Sequence, residues 1–174
     1  MKVNKTIENI MTRHSVRKYL DQDIPISKLD TILKAAMAAP TAKNKRPYHF
    51  VVIKETAVKE ALSEVNPYSK MIKNAPVTIA VCGDILLESS MDFIHHDCAA
   101  AVQNILLAAH SLDLGAVWVG IRQDDERGWQ SHVSQVLQLP DNIKPIALIP
   151  MGYPAENREV KDRFDDHLIH TNKW

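Results

Sequence analysis

Asp97-Cys98-Ala99-Ala100-Ala101-Val102-Gln103-Asn104-Ile105-Leu106-Leu107-Ala108-Ala109-His110-Ser111-Leu112-Asp113-Leu114, followed by Gly115, is the stretch that decides the fold. Its alanines surround Val102, Ile105, Leu106, Leu107 and Leu112, so a helix of this composition is apolar nearly all round and has to be buried deeply. A chain of 174 residues has little interior in which to bury such a helix, and small side chains let a second helix approach closely. The expectation is a symmetric homodimer with this helix near the two-fold axis. Gly115 suits the residue just past the helix end.

Outward from this helix, helices and short strands alternate. Val77 to Cys82 is a continuous apolar run, the pattern of a strand covered on both faces. Tyr48 to Ile53, Ala116 to Val119 and Ile146 to Met151 are further strand candidates. Leu29, Ile32, Leu33, Ala36 and Met37 recur at helical spacing behind Ser27, the expected N-cap, with Asp30 in the first turn and Pro40 as the stop. Met1 to Thr12 reads as a lead-in helix, Thr56 to Val65 as another, and Glu126 to Leu137 as a surface helix preceded by the charge run Asp124-Asp125-Glu126-Arg127. The sum is one α/β (α+β) domain over residues 1–174, a central mixed sheet flanked by helices.

Composition removes several function classes. Twenty-one basic residues balance twenty-one acidic ones, so no global field draws in nucleic acid or an acidic membrane. No apolar run reaches the roughly 18 residues of a membrane span, and no secretory h-region is visible, which leaves the cytoplasm as the expected compartment. Cys82 and Cys98 lie in apolar segments and read as reduced, buried thiols. His95-His96-Asp97 and His167 with His170 lack zinc-site spacing, so no metal is expected. Ser15 lacks a triad at motif spacing, and Trp174 reads as a packing residue that anchors the tail. There is no G-x-G-x-x-G or Walker A loop and only five glycines, so a bound phosphate has to be held by side chains.

Such side chains are present. Arg13-His14-Ser15-Val16-Arg17 puts two guanidiniums, an imidazole and a hydroxyl in one short segment, and guanidinium matches phosphate oxygens in a bidentate geometry. Alone, a basic turn of this kind is more often a solvated surface feature. What changes its weight is an ordered set of further motifs: Ala39-Pro40-Thr41-Ala42-Lys43-Asn44-Lys45-Arg46-Pro47-Tyr48-His49-Phe50, the long alanine-rich helix, Leu114-Gly115-Ala116-Val117-Trp118-Val119-Gly120, and Pro150-Met151-Gly152-Tyr153-Pro154 with Lys161-Asp162-Arg163.

This order resembles the FMN-dependent nitroreductase family, whose segments take the forms R-[RH]-S-x-R and A-P-[ST]-x-x-N-x-Q-P-[WY]-x-F, and the resemblance runs from about Ile10 to Trp174. It implies a sandwich whose central mixed sheet is mainly antiparallel, in an intertwined homodimer, non-covalent FMN, and hydride passed from NADH or NADPH to a nitroaromatic, quinone or related small acceptor by a ping-pong mechanism. It also implies roles for residues. Arg13 and Arg163, with Lys161 nearby, would grip the phosphate. Ser15 would satisfy phosphate oxygens, and His14 would lie along the ring or phosphate edge. Arg17 would face the N1–C2=O edge of the flavin. Pro40, Thr41 and Asn44 would come from the partner subunit. Trp118, Val119 and Gly120 would pass the N5 region, and no side chain need be catalytic. A same-fold dehydrogenase, ene-type reductase or dehalogenase, or an FMN-storage or sensing module, stays open on the sequence. Arg46 departs from the usual Gln before Pro47, and an acidic substrate, a cofactor phosphate and solvent are all open as its destination.

Overall fold

The computed structural model describes residues 4–123, 126–156 and 159–174. In chain order the elements are α1 (Lys5–Thr12), α2 (Ile26–Met37), β1 (Tyr48–Ile53), α3 (Thr56–Leu62), β2 (Val77–Asp84), α4 (Met91–Ser111), β3 (Gly115–Ala116), β4 (Val119–Gly120), α5 (Trp129–Leu137) and β5 (Ile143–Gly152). Short 3-10 turns lie at Ala42–Asn44, Lys70–Asn74 and Asp166–Leu168.

The sheet runs β1-β2-β5-β3, with β4 also on β5, and every strand pair is antiparallel. The parallel component expected of a mixed sheet is confined to a single bridge between Ser15 and Ala116. β2 obeys the period of a doubly covered strand. Val77, Ile79 and Val81 enter the core under α2 and α4, with Leu29, Ile32, Ile94, Val102 and Ile105. Ala80 and Cys82 enter the core under α3 and α5, with Leu62, Ile72, Val133 and Leu148. The β2–β5 register shifts between Val81 and Cys82, opposite Pro145. Proline has no N–H to give to a ladder, and a bulge accommodates it.

Several boundaries differ from the sequence reading, each for a physical reason. α2 is capped by Pro25, whose carbonyl accepts from the Lys28 and Leu29 N–H groups at 3.0 and 3.3 Å. Ser27 therefore lies inside the helix, not at its N-cap; proline's fixed φ pre-forms the turn. α4 starts at Met91, before Asp97, because His95 and His96 interrupt the apolar pattern without interrupting the helix. Its end is a Schellman motif: Leu114 N–H donates to Ala109 O at 2.9 Å and Asp113 N–H to His110 O at 3.2 Å. The left-handed residue there is Asp113 (φ 61°), so Gly115 is not the cap. The predicted strand Ala116–Val119 is split, with exposed Trp118 stepping out between β3 and β4. α5 begins after left-handed Gly128; of the charge run before it, Asp124 and Asp125 lie outside the described residues.

Both cysteines are buried and free, as expected. Trp174 does not anchor the tail in a core: it is fully exposed, with its ring 4.2 Å from the His170 ring between centroids. No helix among the described residues is long and apolar enough to cross a membrane.

Candidate cofactor site

The basic segment is clipped to the sheet. Val16 is buried, and its N–H donates to Ala116 O at 3.0 Å. Gly115 makes this approach possible: a Cβ there would stand 2.6 Å from the Val16 Cβ. The Tyr19 hydroxyl braces the same segment, lying 2.7 Å from Val16 O and 3.1 Å from Pro150 O, and burial raises its pKa so that it stays a donor. With Val16 pinned, Arg13, His14 and Ser15 are half-buried and Arg17 projects outward.

Arg17 lines a cavity of about 480 Å³ with Val117, Trp118, Val119 and Gly120, so two of the sequence motifs meet there. Its remaining walls are Asn66, Pro67, Tyr68, Met71 and Trp129. The sequence reading missed these residues; they come from the α3–β2 connection and the start of α5, and no spacing motif links them. Burial first, and then the positive charge of Arg163 in the C-terminal segment, lower the pKa of Arg13. Lys161 and Arg163 line a second cavity, of about 530 Å³, with Ile10, Met11, Val160 and Phe164.

His14 faces away from the Arg17 cavity, into a pocket of about 360 Å³ shared with His110, Asp113 and Glu156. Its Nδ1 lies 3.1 Å from Thr12 O. A carbonyl only accepts, so Nδ1 carries the proton and Nε2 is the nitrogen left for a ligand. His110, ring to ring with His14 at 6.0 Å, has its pKa lowered by burial and then by the His14 and Arg13 charges.

Pro40, Thr41 and Asn44 line neither the Arg17 nor the Arg163 cavity. They sit on the turn between α2 and β1, whose backbone is left-handed at Lys43, Asn44 and Arg46 (φ 52°, 55° and 50°). Non-glycine residues in that region cost energy and persist only where their surroundings hold them. Two acids missed by the sequence reading supply part of the hold. Asp97, buried on α4, accepts the Ala42 N–H at 2.9 Å. Glu88 is buried, bonded to Lys45 at 2.8 Å and to the Ser90 N–H at 2.9 Å; these partners keep its carboxyl below the usual range. His95 and His96 join Asp97 in no group of potential metal ligands among the described residues; the one such group is exposed Asp165, Asp166 and His167.

Within one chain, therefore, fold and site define an α+β sandwich with two separated sets of polar groups, a cationic set beside β3–β4 and a strained, donor-rich turn beyond α2. Residues 10–66 and 55–153 match the model of the nitroreductase family, and the chain belongs to that family. A candidate NADH dehydrogenase/NAD(P)H nitroreductase of Methanothermobacter thermautotrophicus is 46% identical over 175 residues, 99% of this chain and 91% of that protein. The crystal structure of a Parabacteroides distasonis protein of the same description superposes with a TM-score of 0.93 at 37% identity, covering 99% of this chain and all (100%) of that one. A candidate nitroreductase of Desulfovibrio desulfuricans, solved in complex with FMN, superposes with a TM-score of 0.86 at 30% identity over 99% of both chains.

Proposed function

We propose that this chain is an FMN-dependent oxidoreductase that takes hydride from NADH or NADPH and delivers it to a nitroaromatic, quinone or related small acceptor in ping-pong order. The observation that carries this reading is the cavity in which Arg17 of the basic segment meets Val119 and Gly120, with Ser15 bridged to Ala116 beside it. The donor set suits the cofactor: guanidinium groups and a half-buried hydroxyl match a phosphate dianion. The protein would supply binding, orientation and electrostatics, and FMN the hydride chemistry.

In this reading Arg13 and Arg163 hold the phosphate, with Lys161 adding charge, and Ser15 completes its shell, whereas His14 turns into its own pocket with His110, Asp113 and Glu156. Arg17 lies along the wall that ends in Val119 and Gly120, where a cation stabilises negative charge that develops on a reduced ring. Trp118, Tyr68 and Trp129 give that cavity aromatic walls suited to planar acceptors. Pro40, Thr41 and Asn44 act from a second copy of the chain, since their own turn stands apart from the cationic set. Exposed Ile7, Ile10, Met11, Phe164, Leu168, Ile169 and Trp174 support such a homodimer, because they leave α1 and the C-terminal segment without apolar cover.

The test is a visible spectrum of the purified protein, with flavin release on denaturation and anaerobic addition of NADH or NADPH. The reading requires FMN, and bleaching of its absorbance by at least one donor. Release of FAD, failure to take up FMN, or a bound flavin that neither donor reduces would contradict it.

A further inference from the structure

Arg46 departs from the Gln usual in the family segment it resembles, and an acidic substrate, a cofactor phosphate and solvent are its open destinations in sequence. It is exposed, so its outer end meets solvent, while two of its bonds run back into its own turn. Its Nε lies 3.0 Å from Asn44 Oδ1, and its backbone N–H donates to Thr41 Oγ1 at 3.1 Å. Both bonds run back to residues that the proposed function places on the flavin, and the inference rests on that reading.

We infer that Arg46 is a positioning residue whose side chain fixes Asn44 as a hydrogen-bond donor toward the flavin ring, while its backbone N–H, which any non-proline residue would supply, sets Thr41. The chemistry of the groups decides the polarity. Guanidinium has donors and no acceptor, so the Asn44 atom facing it has to be the carbonyl oxygen. The Asn44 amide is thereby locked with its Nδ2 hydrogens turned away from Arg46. An exposed asparagine without this partner would sample both amide orientations, and Asn44 is exposed. Thr41 is constrained in the same sense: its oxygen accepts from the Arg46 N–H, which leaves its single proton to give.

Left-handed backbone at Asn44 and Arg46 curls the chain so that the two side chains meet, and the Asp97 and Glu88 contacts hold the turn from outside. The matching ligand feature is an acceptor edge, a carbonyl or ring nitrogen of the isoalloxazine. Along the N1–C2=O edge such acceptors gain negative charge on reduction, so donors fixed there favour the reduced ring over the oxidised one. Glutamine at position 46 would end in an amide that both donates and accepts, and so tolerate either orientation of Asn44.

The experiment is a double-mutant cycle read on FMN dissociation constants and on the two-electron potential of the bound flavin. It uses Arg46→Met, Asn44→Gly, which keeps the left-handed backbone free of strain, and the double variant, with Arg46→Gln as a second substitution at the position. Arg46→Met is expected to weaken oxidised FMN about threefold, the loss of one modest hydrogen bond. Reduced FMN is expected to suffer a further tenfold loss, which lowers the potential by about 30 mV. Arg46→Gln should fall between Met and wild type. In the Asn44→Gly background, Arg46→Met should change neither quantity further. An equal effect in both backgrounds would show a direct charge effect of Arg46 on the ring and overturn the inference, as would wild-type values in Arg46→Met. Wild-type protein that takes up no FMN overturns the flavin reading itself, and this inference with it.

Discussion

Holding Arg13 near Arg163 is unfavourable in itself, because partial burial and then the second cation both lower the Arg13 pKa. An anion between them reverses the sign of that interaction. Arg13→Ala should therefore weaken FMN binding by about 2 kcal/mol, roughly thirtyfold in Kd, as expected for a charge-assisted contact. Fluorescence titration checks this, and an unchanged Kd would remove Arg13 from the site. The cysteines give a separate test. Burial pushes both thiols up to about 12, with Cys82 and Asp97 adding to the shift at Cys98. Unfolded cysteine titrates near about 8.5. The raised folded value means that this contribution to stability is fully present below the unfolded pKa and is lost as pH rises toward 12. Denaturant midpoints should fall along that alkaline limb, and a thiol reagent at about pH 8 should label neither cysteine without denaturant. Rapid labelling of the native protein would contradict the burial. The buried, free cysteines were legible in the sequence because both lie in apolar runs. Asp97 was not, because a carboxylate beside two histidines carries no mark of the backbone N–H it accepts.

At the scale of elements, the site depends on how closely the basic segment lies against β3. Gly115→Ala places a Cβ where the Val16 side chain already is. Overpacking of this kind costs about 1–3 kcal/mol, and here the strain falls on the segment carrying Arg13, Ser15 and Arg17. The expected outcome is a lower melting temperature together with weaker FMN binding; a fully stable variant with wild-type affinity would show that the contact is not needed. Asp97→Ala should act on the other set. It removes the acceptor for Ala42 N–H and should lower FMN affinity through the Thr41–Asn44 turn, whereas Asp97→Asn retains an acceptor oxygen and should recover part of the loss. Local composition made the strands Tyr48–Ile53 and Val77–Cys82 readable, the second because a continuous apolar run marks a strand covered on both faces. It failed at Gly115, whose reason is a contact with Val16 distant in sequence, and at Trp118, whose exit from the ladder depends on β5.

The whole molecule is where a single chain is least self-sufficient. α1 has no buried residue despite its apolar Ile7, Ile10 and Met11, and the described part of the chain after residue 158 is exposed throughout. A groove of about 480 Å³ runs between α1, α2 and α4, lined by Ile10, Ala35, Ala38, Asn104, Leu107 and Ala108. The alanines of α4 divide accordingly. Ala101 is fully buried in its own chain's core and is not available to a second helix. Ala108 lies in the groove, and Ala108→Arg should separate the dimer while the sheet core persists, as sedimentation and circular dichroism would show. FMN should in turn strengthen the dimer by mass action.

The central claim is that the cationic set of one copy and the Thr41–Asn44 turn of another form one site. The measurement that tests it most directly is FMN stoichiometry in a hybrid dimer of an Arg13→Ala chain with an Asn44→Gly, Thr41→Val chain, at an FMN concentration where neither variant binds alone. A shared site leaves one intact and one doubly defective site, so the account predicts one FMN per hybrid dimer. A hybrid that binds no FMN would mean that each site is built within a single chain, and the account would be wrong.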